Sequence, residues 1–177
     1  MRQALVMTLI GEDRPGLVDL AASIVTEHGG NWLESRMARL GGQFAGIVRI
    51  EVPGGDEQAL VRALKSLSTR GLSVVVHVDT HASPPKGAPL SRLEIVGQDR
   101  PGIVREISHA LAEFGVNVEE LHTECSSAAM SGETLFTARA HLKIPETCDV
   151  SELRRKLEKI AADLIVDISL EPLPANG

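Results

Sequence analysis

Apolar and polar residues alternate most clearly in the stretch 136–144. The apolar positions are Phe136, Ala138, Ala140, Leu142 and Ile144. The positions between them are Thr137, Arg139, His141 and Lys143. Because side chains of a β-strand point alternately to its two faces, this period of two predicts a strand with one buried and one exposed face. The same pattern recurs around Phe44, Val48, Ile50 and Val52.

Helical periodicity follows a turn in each half of the chain. Apolar residues recur at intervals of three and four at Leu17, Ala21, Ile24 and Val25, and again at Ile103, Ile107, Ala110, Leu111 and Phe114. This spacing predicts amphipathic helices, which the glycines at 29, 30 and 115 are expected to end. Second helices are predicted around DEQALVRALKSL and VSELRRKLEKIAA. Short apolar strands open and close each half.

The two halves repeat one pattern. GEDRPGLV begins at Gly11 and GQDRPGIV at Gly97, and the same offset places Asn31 on Asn117. Each half therefore predicts a βαββαβ domain of the α+β class, ferredoxin-like, with both helices on one face of an antiparallel sheet. The Pro-rich segment THASPPKGAP separates the repeats and is typical of a linker. We expect a first domain at residues 1–80, a linker at 81–89, a second domain at 90–172 and a tail at 173–177.

Charge and cysteine content exclude several classes of protein. Residues 1–89 have no net charge, whereas residues 90–177 carry the whole formal charge of −6. An acidic surface repels phosphates, which argues against direct nucleic-acid binding. No apolar run approaches the roughly 20 residues that span a bilayer, and no signal-peptide pattern is present. We therefore expect a cytoplasmic protein without membrane contact, in which Cys125 and Cys148 are free thiols.

The repeated Asp-Arg-Pro-Gly turn has a structural and a functional interpretation. In the structural one, Pro15 and Pro101 occupy the first helical position, where no hydrogen bond is lost by a missing N–H group. In the functional one, a glycine at a helix N-terminus exposes backbone N–H groups to a carboxylate. An Asp of the same loop then holds an ammonium group, and Asn31 or Asn117 donates and accepts hydrogen bonds. Together these groups suit an α-amino acid.

These motifs resemble the ACT domain, a regulatory module that senses amino acids. The sequence D-R-P-G-[LI]-V, followed in each half by G-x-N, is similar to the family's ligand-binding loop and the strand after it. Two such domains in tandem resemble the glycine cleavage system transcriptional repressor group. Some amino-acid-binding members carry a polar residue, often His, where this chain has Gly11 and Gly97. The resemblance implies that the ligand-binding residues are Asp13, Arg14, Pro15, Gly16, Leu17 and Asn31 in the first copy, and Asp99, Arg100, Pro101, Gly102, Ile103 and Asn117 in the second.

The resemblance also implies a non-catalytic regulatory protein. We expect it to bind a small amino acid, with glycine and serine favoured, and to require no cofactor. Family members hold the ligand between the glycine loop of one domain and the strands of another. Control of transcription or of an enzyme would pass through a protein partner. A homodimer is expected, because open sheet faces and edge strands need cover.

A small hydrolase is the alternative function. Small α+β domains of this kind hydrolyse acyl phosphates with one Arg in the first loop and one Asn on a strand. Arg14 with Asn31, or Arg100 with Asn117, are the candidate pairs. This alternative leaves the paired Asp residues unexplained, because a carboxylate beside a phosphate is repulsive.

Metal and RNA binding find less support. His122, Glu124 and Cys125 are close in sequence, but on a strand Cys125 faces away from the other two, so we expect no metal site. Binding of single-stranded RNA needs aromatic residues on the open face of the sheet. Phe44 and Phe136 are predicted to face the helices instead.

Overall fold

The computed structural model describes residues 2–80, 90–127 and 133–173. The chain divides into two units, Met1–Pro84 and Pro85–Gly177. The first contains β1 (Arg2–Glu12), α1 (Leu17–Glu27), β2 (Asn31–Leu40), β3 (Gln43–Pro53), α2 (Glu57–Ser66) and β4 (Leu72–Val78). The second contains β5 (Leu90–Gln98), α3 (Ile103–Glu113), β6 (Asn117–Ser127), β7 (Thr134–Lys143), α4 (Val150–Leu164) and β8 (Val166–Pro172). The predicted linker at 81–89 lies outside the described residues.

Each unit is built on one antiparallel sheet. The strand order is β2-β3-β1-β4 in the first unit and β6-β7-β5-β8 in the second. In both, the strand that leads into the repeated turn lies between two neighbours, and the strand after the first helix lies at an edge. The predicted α+β class and βαββαβ order are therefore confirmed in both halves.

The hydrophobic core of each unit lies between the sheet and its two helices. In the first unit the inward positions of β1, which are Leu5, Met7 and Leu9, are buried together with Leu17 of α1 and Leu60 of α2. In the second unit the predicted inward row of β7 is buried from Phe136 to Leu142. Both helices of a unit thus cover the same face of its sheet, as the period-two pattern predicted.

The opposite face of the first sheet is partly apolar. Ile47 lies across from Thr8, and Thr8 lies across from Val75 on the other side. Ile10, Ile47 and Val75 are each about half exposed. The corresponding face of the second sheet carries charged pairs: Arg139 pairs with Glu94 at 3.8 Å, and His141 Nδ1 lies 3.2 Å from a carboxylate oxygen of Glu120. Val96 is also exposed on this face. Both open faces therefore mix apolar and polar side chains.

Strand β6 is exposed along its whole length. It lies at the edge of its sheet, and each of its residues, from Asn117 to Ser127, is exposed. A bulge between Val118 and Glu120 matches a bulge between Trp32 and Glu34 in β2. The repeat therefore extends to an irregularity of the backbone.

Glycine ends the first helix of each unit, as predicted. The N–H groups of Gly29 and Gly30 donate to the carbonyls of Thr26 and Val25, at 2.9 and 2.8 Å. In the second unit, Gly115 and Val116 donate to Ala112 and Leu111 at 3.0 and 2.9 Å. This pair of bonds is the Schellman motif, which satisfies carbonyls that the helix itself leaves unpaired. No helix in the described part of the chain is long and apolar enough to cross a membrane.

The last strand of each unit begins after a residue with left-handed backbone conformation. In the first unit this residue is Gly71, with φ of 77°. In the second it is Ile165, with φ of 56°, the one non-glycine residue with positive φ among the described residues. A β-branched side chain is disfavoured there by about 1–2 kcal/mol. Ile165 is 63% exposed, so little burial compensates for this cost.

Replacing Ile165 with glycine should therefore stabilise the protein. We expect Ile165→Gly to raise the free energy of unfolding by about 0.5–1 kcal/mol, because relief of the left-handed strain exceeds the added entropy of the unfolded chain. Urea unfolding of both proteins measures this change. Ile165→Ala is the matched control: it removes the β-branch but keeps the Cβ, so it should gain less. A glycine variant less stable than the alanine variant would contradict the interpretation.

Candidate functional site

Glycine, and not proline, precedes the first helical residue at each repeated turn. Helix α1 begins at Leu17 and α3 at Ile103, and the residues before them, Gly16 and Gly102, have φ of 90° and 99°. The placement of Pro15 and Pro101 at the first helical position is therefore wrong: a left-handed glycine stands between the proline and the helix. Only glycine adopts this conformation without strain.

The glycines of the repeated octapeptide have two different roles. A Cβ built at Gly16 or Gly102 would meet no atom within 4 Å, so backbone conformation alone requires glycine there. A Cβ at Gly11 would lie 2.5 Å from the carbonyl oxygen of Gly71, and one at Gly97 would lie 2.8 Å from Cα of Val166. The strand before each turn therefore has no room for a side chain at this point. A histidine at Gly11 or Gly97 would not fit this backbone.

Each turn is tied to a neighbouring strand connection by the same hydrogen bond. The N–H group of Asp13 donates to the carbonyl of Gly42 at 2.9 Å, and that of Asp99 donates to Thr134 at 2.9 Å. Gly42 immediately precedes β3, and Thr134 is the first residue of β7. The backbone of the turn is therefore held identically in both units.

The side chains of the two Asp residues have different surroundings. Asp13 forms a salt bridge with Nε of Arg39 at 2.6 Å. The offset between the repeats places Cys125 at the position of Arg39, and Asp99 has no ion pair within the described residues. The sequence analysis did not identify Arg39 as the partner of Asp13. The signal in the sequence was that the first repeat has a basic residue at this position and the second repeat does not. The carboxylate is thus partly neutralised in one unit only.

The two Arg residues of the turn have different hydrogen-bond partners. Arg14 donates through Nη2 to the carbonyl of Arg70, at the end of the 3-10 turn formed by Leu67–Arg70. Arg100 donates through Nη2 to Oε1 of Gln98 at 3.2 Å. Neither of these hydrogen bonds involves the helix N-terminus.

Asn31 and Asn117 lie at the far end of the sheet from the turn of their own unit. Asn31 pairs in register with Glu51, which pairs with Ala4 at the start of β1, whereas the turn follows the end of β1. At about 3.3 Å per residue, this separation is on the order of 30 Å. Asn117 lies likewise at the Leu90 end of β5. Within a unit, the Arg–Asn pairs that a hydrolase requires are therefore not brought together.

A cleft opens at the first turn. It is lined by Asp13, Arg14, Gly16, Leu17, Val18, Asp19 and Phe44, and it has a volume of about 560 Å³, including the part open to solvent. Leu17 is buried, and its counterpart Ile103 is too, so both contribute backbone and not side chain to the surface. The glycine before each helix provides no side-chain cap for the first N–H groups. An anion is stabilised at such a helix end.

The residues of LHTEC are arranged as their spacing predicted. His122 lies across from Arg139 and Glu124 from Thr137 on the open face, whereas Cys125 lies across from the buried Phe136. No group of three residues suited to a metal ion occurs in the described part of the chain. Both cysteines are free thiols, and burial, followed by the charge of Asp149, raises the pKa of Cys148.

The two roles of glycine predict two different costs of substitution. Gly97→Ala should lower the free energy of unfolding by about 2–3 kcal/mol, because its Cβ overlaps backbone atoms of the last strand. Gly102→Ala should lower it by about 1–2 kcal/mol, because only the left-handed conformation is affected. Chemical denaturation of both variants tests this order. Ser108→Ala, at an exposed position of the same unit, is the control and should change little. Equal stability of Gly97→Ala and the wild type would contradict the packing account.

Comparisons with known proteins agree with this geometry. Residues 3–78 and residues 91–147 each match a model of the ACT domain. The chain is 25% identical, over 168 residues, to the glycine cleavage system transcriptional repressor of Escherichia coli strain K12, a match that covers 90% of this chain and 85% of the relative.

Two solved structures share the fold over almost the whole chain. A crystal structure described as an unknown protein from Galdieria sulphuraria is 31% identical, with a TM-score of 0.86 and coverage of 98% of this chain and 100% of that one. A crystal structure of a candidate glycine cleavage system transcriptional repressor is 20% identical, with a TM-score of 0.73 and coverage of 99% of each chain. With an ACT match and a βαββαβ sheet in each half, the chain belongs to the ACT domain family and carries two ACT domains in tandem.

Proposed function

We propose that this chain is a regulatory protein that binds a small amino acid, with glycine and serine favoured, and acts through a protein partner. The observation that carries the proposal is the repeated turn, in which a left-handed glycine leaves the N-terminus of a helix uncapped beside an Asp. The tandem ACT domains support a regulatory role. The relative named as a glycine cleavage system transcriptional repressor supports glycine as ligand and transcription as the controlled process.

The turn provides complementary charges for the two ends of an amino acid. The carboxylate is bound by the first N–H groups of α1, at Leu17 and Val18, where the helix dipole favours negative charge. The ammonium group is bound by a carboxylate at the rim of the cleft, from Asp13 or Asp19. The lack of a side chain at Gly16 allows the ligand to approach the backbone.

Asn31 and Asn117 can join such a site only across an interface. Each lies on the order of 30 Å from the turn of its own unit along the strand direction. We therefore propose that Asn31 contacts a ligand held by an ACT domain of a second copy of the chain. The regulator is then a homodimer, and ligand occupancy changes how the copies pair by its differential affinity for the two arrangements.

A charge placed at the second residue of the helix tests the carboxylate site. Val18 and Val104 are exposed and occupy this position. In the double variant Val18→Asp, Val104→Asp, the new carboxylates should weaken glycine and serine binding by at least about tenfold, because they repel the ligand carboxylate. The same charge is favourable to the helix, so the melting temperature should not fall. Isothermal titration calorimetry measures the affinity.

The neutral double variant Val18→Asn, Val104→Asn is the matched control. It has nearly the same shape as the Asp variant and should retain most of the affinity. Equal affinities of the Asp and Asn variants would show that the carboxylate of the ligand is not bound at the turn. Absence of amino-acid binding by the wild type would overturn the proposed function.

Regulation of transcription is proposed to pass through a partner and not through direct DNA contact. Arg36 and Arg39, three residues apart on β2, point to opposite faces of the strand. Arg39 pairs with Asp13, and Arg49 pairs with Asp79 at 2.8 Å. These basic residues do not form one continuous patch, and the formal net charge of −6 opposes phosphate binding.

A gel-shift titration of the purified protein at low salt tests the mode of action. We expect no sequence-selective retardation of DNA at micromolar protein, because the acidic second half repels the phosphate backbone. A duplex of scrambled sequence is the control for non-specific binding. Tight and selective retardation by the protein alone would show that it contacts DNA itself.

A further inference from the structure

An apolar groove runs between α3 and β6 in the second unit. Val104 and Leu111 lie on its helix side, and Val118 and Leu121 lie on its strand side. These strand positions face the helices, since Leu121 pairs in register with Ala140 of the core. Even so, Leu121 is 52% exposed, because α3 leaves it uncovered. The second unit thus leaves part of its inward-facing apolar surface open to solvent at the edge of the sheet.

The first unit closes the equivalent space with side chains of its own edge strand. Trp32 of β2 stands at the position of Val118, and Met37 follows further along the same face. Both are partly buried and pack against the core of the first unit. Between them the first unit exposes the polar Ser35 where the second unit exposes Leu121. The open apolar groove is therefore a property of the second repeat and not of the shared fold.

The backbone of β6 is open beside the groove. The strand pairs with β7 and lies at the edge of its sheet, so one side of its backbone is paired within the sheet and the other side is not. Its register with β7 is unbroken from Glu120 to Ser127, which is about 26 Å at 3.3 Å per residue. An extended segment can add to such an edge through main-chain hydrogen bonds, while its alternate side chains enter a pocket beside the edge.

Charge determines what can pair with this edge. The strand carries Glu119, Glu120 and Glu124 and has no Lys or Arg. Glu120, His122 and Glu124 lie on the open face of the sheet, and Glu120 pairs with His141 of β7. Like charges directly opposite each other destabilise a strand pair, and opposite charges stabilise it. A second copy of β6 is therefore disfavoured, and a strand with basic residues on this face is favoured.

The basic edge strand β2 of a second copy is a poor occupant of the groove. It carries Arg36 and Arg39, but its inward side chains Trp32 and Met37 pack against its own core. A segment that belongs to no sheet of its own has the side chains of both faces free to bind. The homodimer proposed above contacts the ligand through Asn31 of β2 and does not require β6.

We propose that β6 and the adjoining groove bind an extended segment of the regulated protein, in which apolar residues alternate with Lys or Arg. The segment adds a fifth strand to the second sheet. Its apolar side chains enter the groove beside Val118 and Leu121, and its basic side chains lie beside Glu124 on the open face. The inference rests on the proposed function, because it names the surface and the chemistry of the protein partner through which the regulator acts.

A synthetic peptide tests the proposal. Valine and leucine alternate in it with lysine and arginine, and its length matches residues 120–127. Fluorescence anisotropy at low salt measures its affinity for the full chain, and backbone hydrogen exchange locates its binding site. We expect binding in the micromolar range, with new amide protection in β6 and none in β2. Added salt should weaken the binding, because it screens ionic contacts at exposed positions.

Two control peptides separate strand addition from other modes of binding. The same peptide with N-methyl groups on alternate backbone nitrogens keeps its charge and its apolar side chains but loses hydrogen-bond donors along one edge. Methylation of the edge that faces β6 should weaken binding by at least about tenfold. A peptide in which glutamate replaces lysine and arginine should not bind measurably, because its carboxylates meet those of β6.

Three variants of the protein test the two parts of the surface. Leu121→Ser introduces the residue of the first repeat and should weaken peptide binding by about 5- to 10-fold, because the exposed half of the leucine is no longer there to be covered. Glu124→Lys should weaken it by about 3- to 10-fold, because an attraction becomes a repulsion. Leu40→Ser is the matched control: it removes an exposed leucine from β2 and should change the affinity by less than about twofold. Circular dichroism melting establishes that each variant is folded.

The outcomes separate this inference from the amino-acid site. Binding that protects β6 and that both Leu121→Ser and Glu124→Lys weaken supports the proposal. No peptide binding, protection outside β6, undiminished affinity of the methylated peptide or unchanged affinity in either variant overturns it. Protection of β6 in the free protein would assign the edge to another copy of the chain and would overturn it too. Glycine and serine titrations are separate measurements, so failure of the peptide to bind leaves the amino-acid site standing. Peptide binding without amino-acid binding overturns the amino-acid site and supports the partner surface.

Discussion

The close approach of two strands at Gly11 and Gly97 is the contact on which each unit depends. At these positions the central strand passes the start of the last strand so closely that a Cβ would overlap its backbone or that of the residue before it. The turn follows this contact in the chain, and the first helix of the unit begins directly after the turn. The hydrogen bond from the Asp N–H group then fixes the turn against the neighbouring strand connection. The uncapped helix end is thus presented in the same position in both repeats.

The repeated octapeptide is explained in large part by these backbone constraints. Gly11 and Gly97 are required by packing, and Gly16 and Gly102 by a positive φ. The Asp side chains are not required by either constraint, since Asp13 pairs with Arg39 whereas Asp99 has no ion pair in the described part of the chain. Neither backbone constraint explains why Asp is present in both repeats, and a ligand with an ammonium group would use these carboxylates.

Sequence periodicity predicted the elements of the fold but not the neighbourhood of the turn. The alternation in β7 and the helical spacing from Ile103 onward follow directly from which face is buried, so both were readable from the chain. The distance between Asn31 and its own turn was not readable, because it depends on the pairing register of β2 with β3. The bond from Arg14 to the carbonyl of Arg70 was also hidden, since it joins residues far apart in the sequence.

The exposed edge strand β6 has a consequence for solubility. An uncovered edge of eleven residues is a template for pairing with other chains and for aggregation. Glu119, Glu120 and Glu124 lie along this edge, and like charges brought together by self-pairing would repel one another. Part of the negative charge concentrated in the second half thus acts as a barrier to edge-to-edge association.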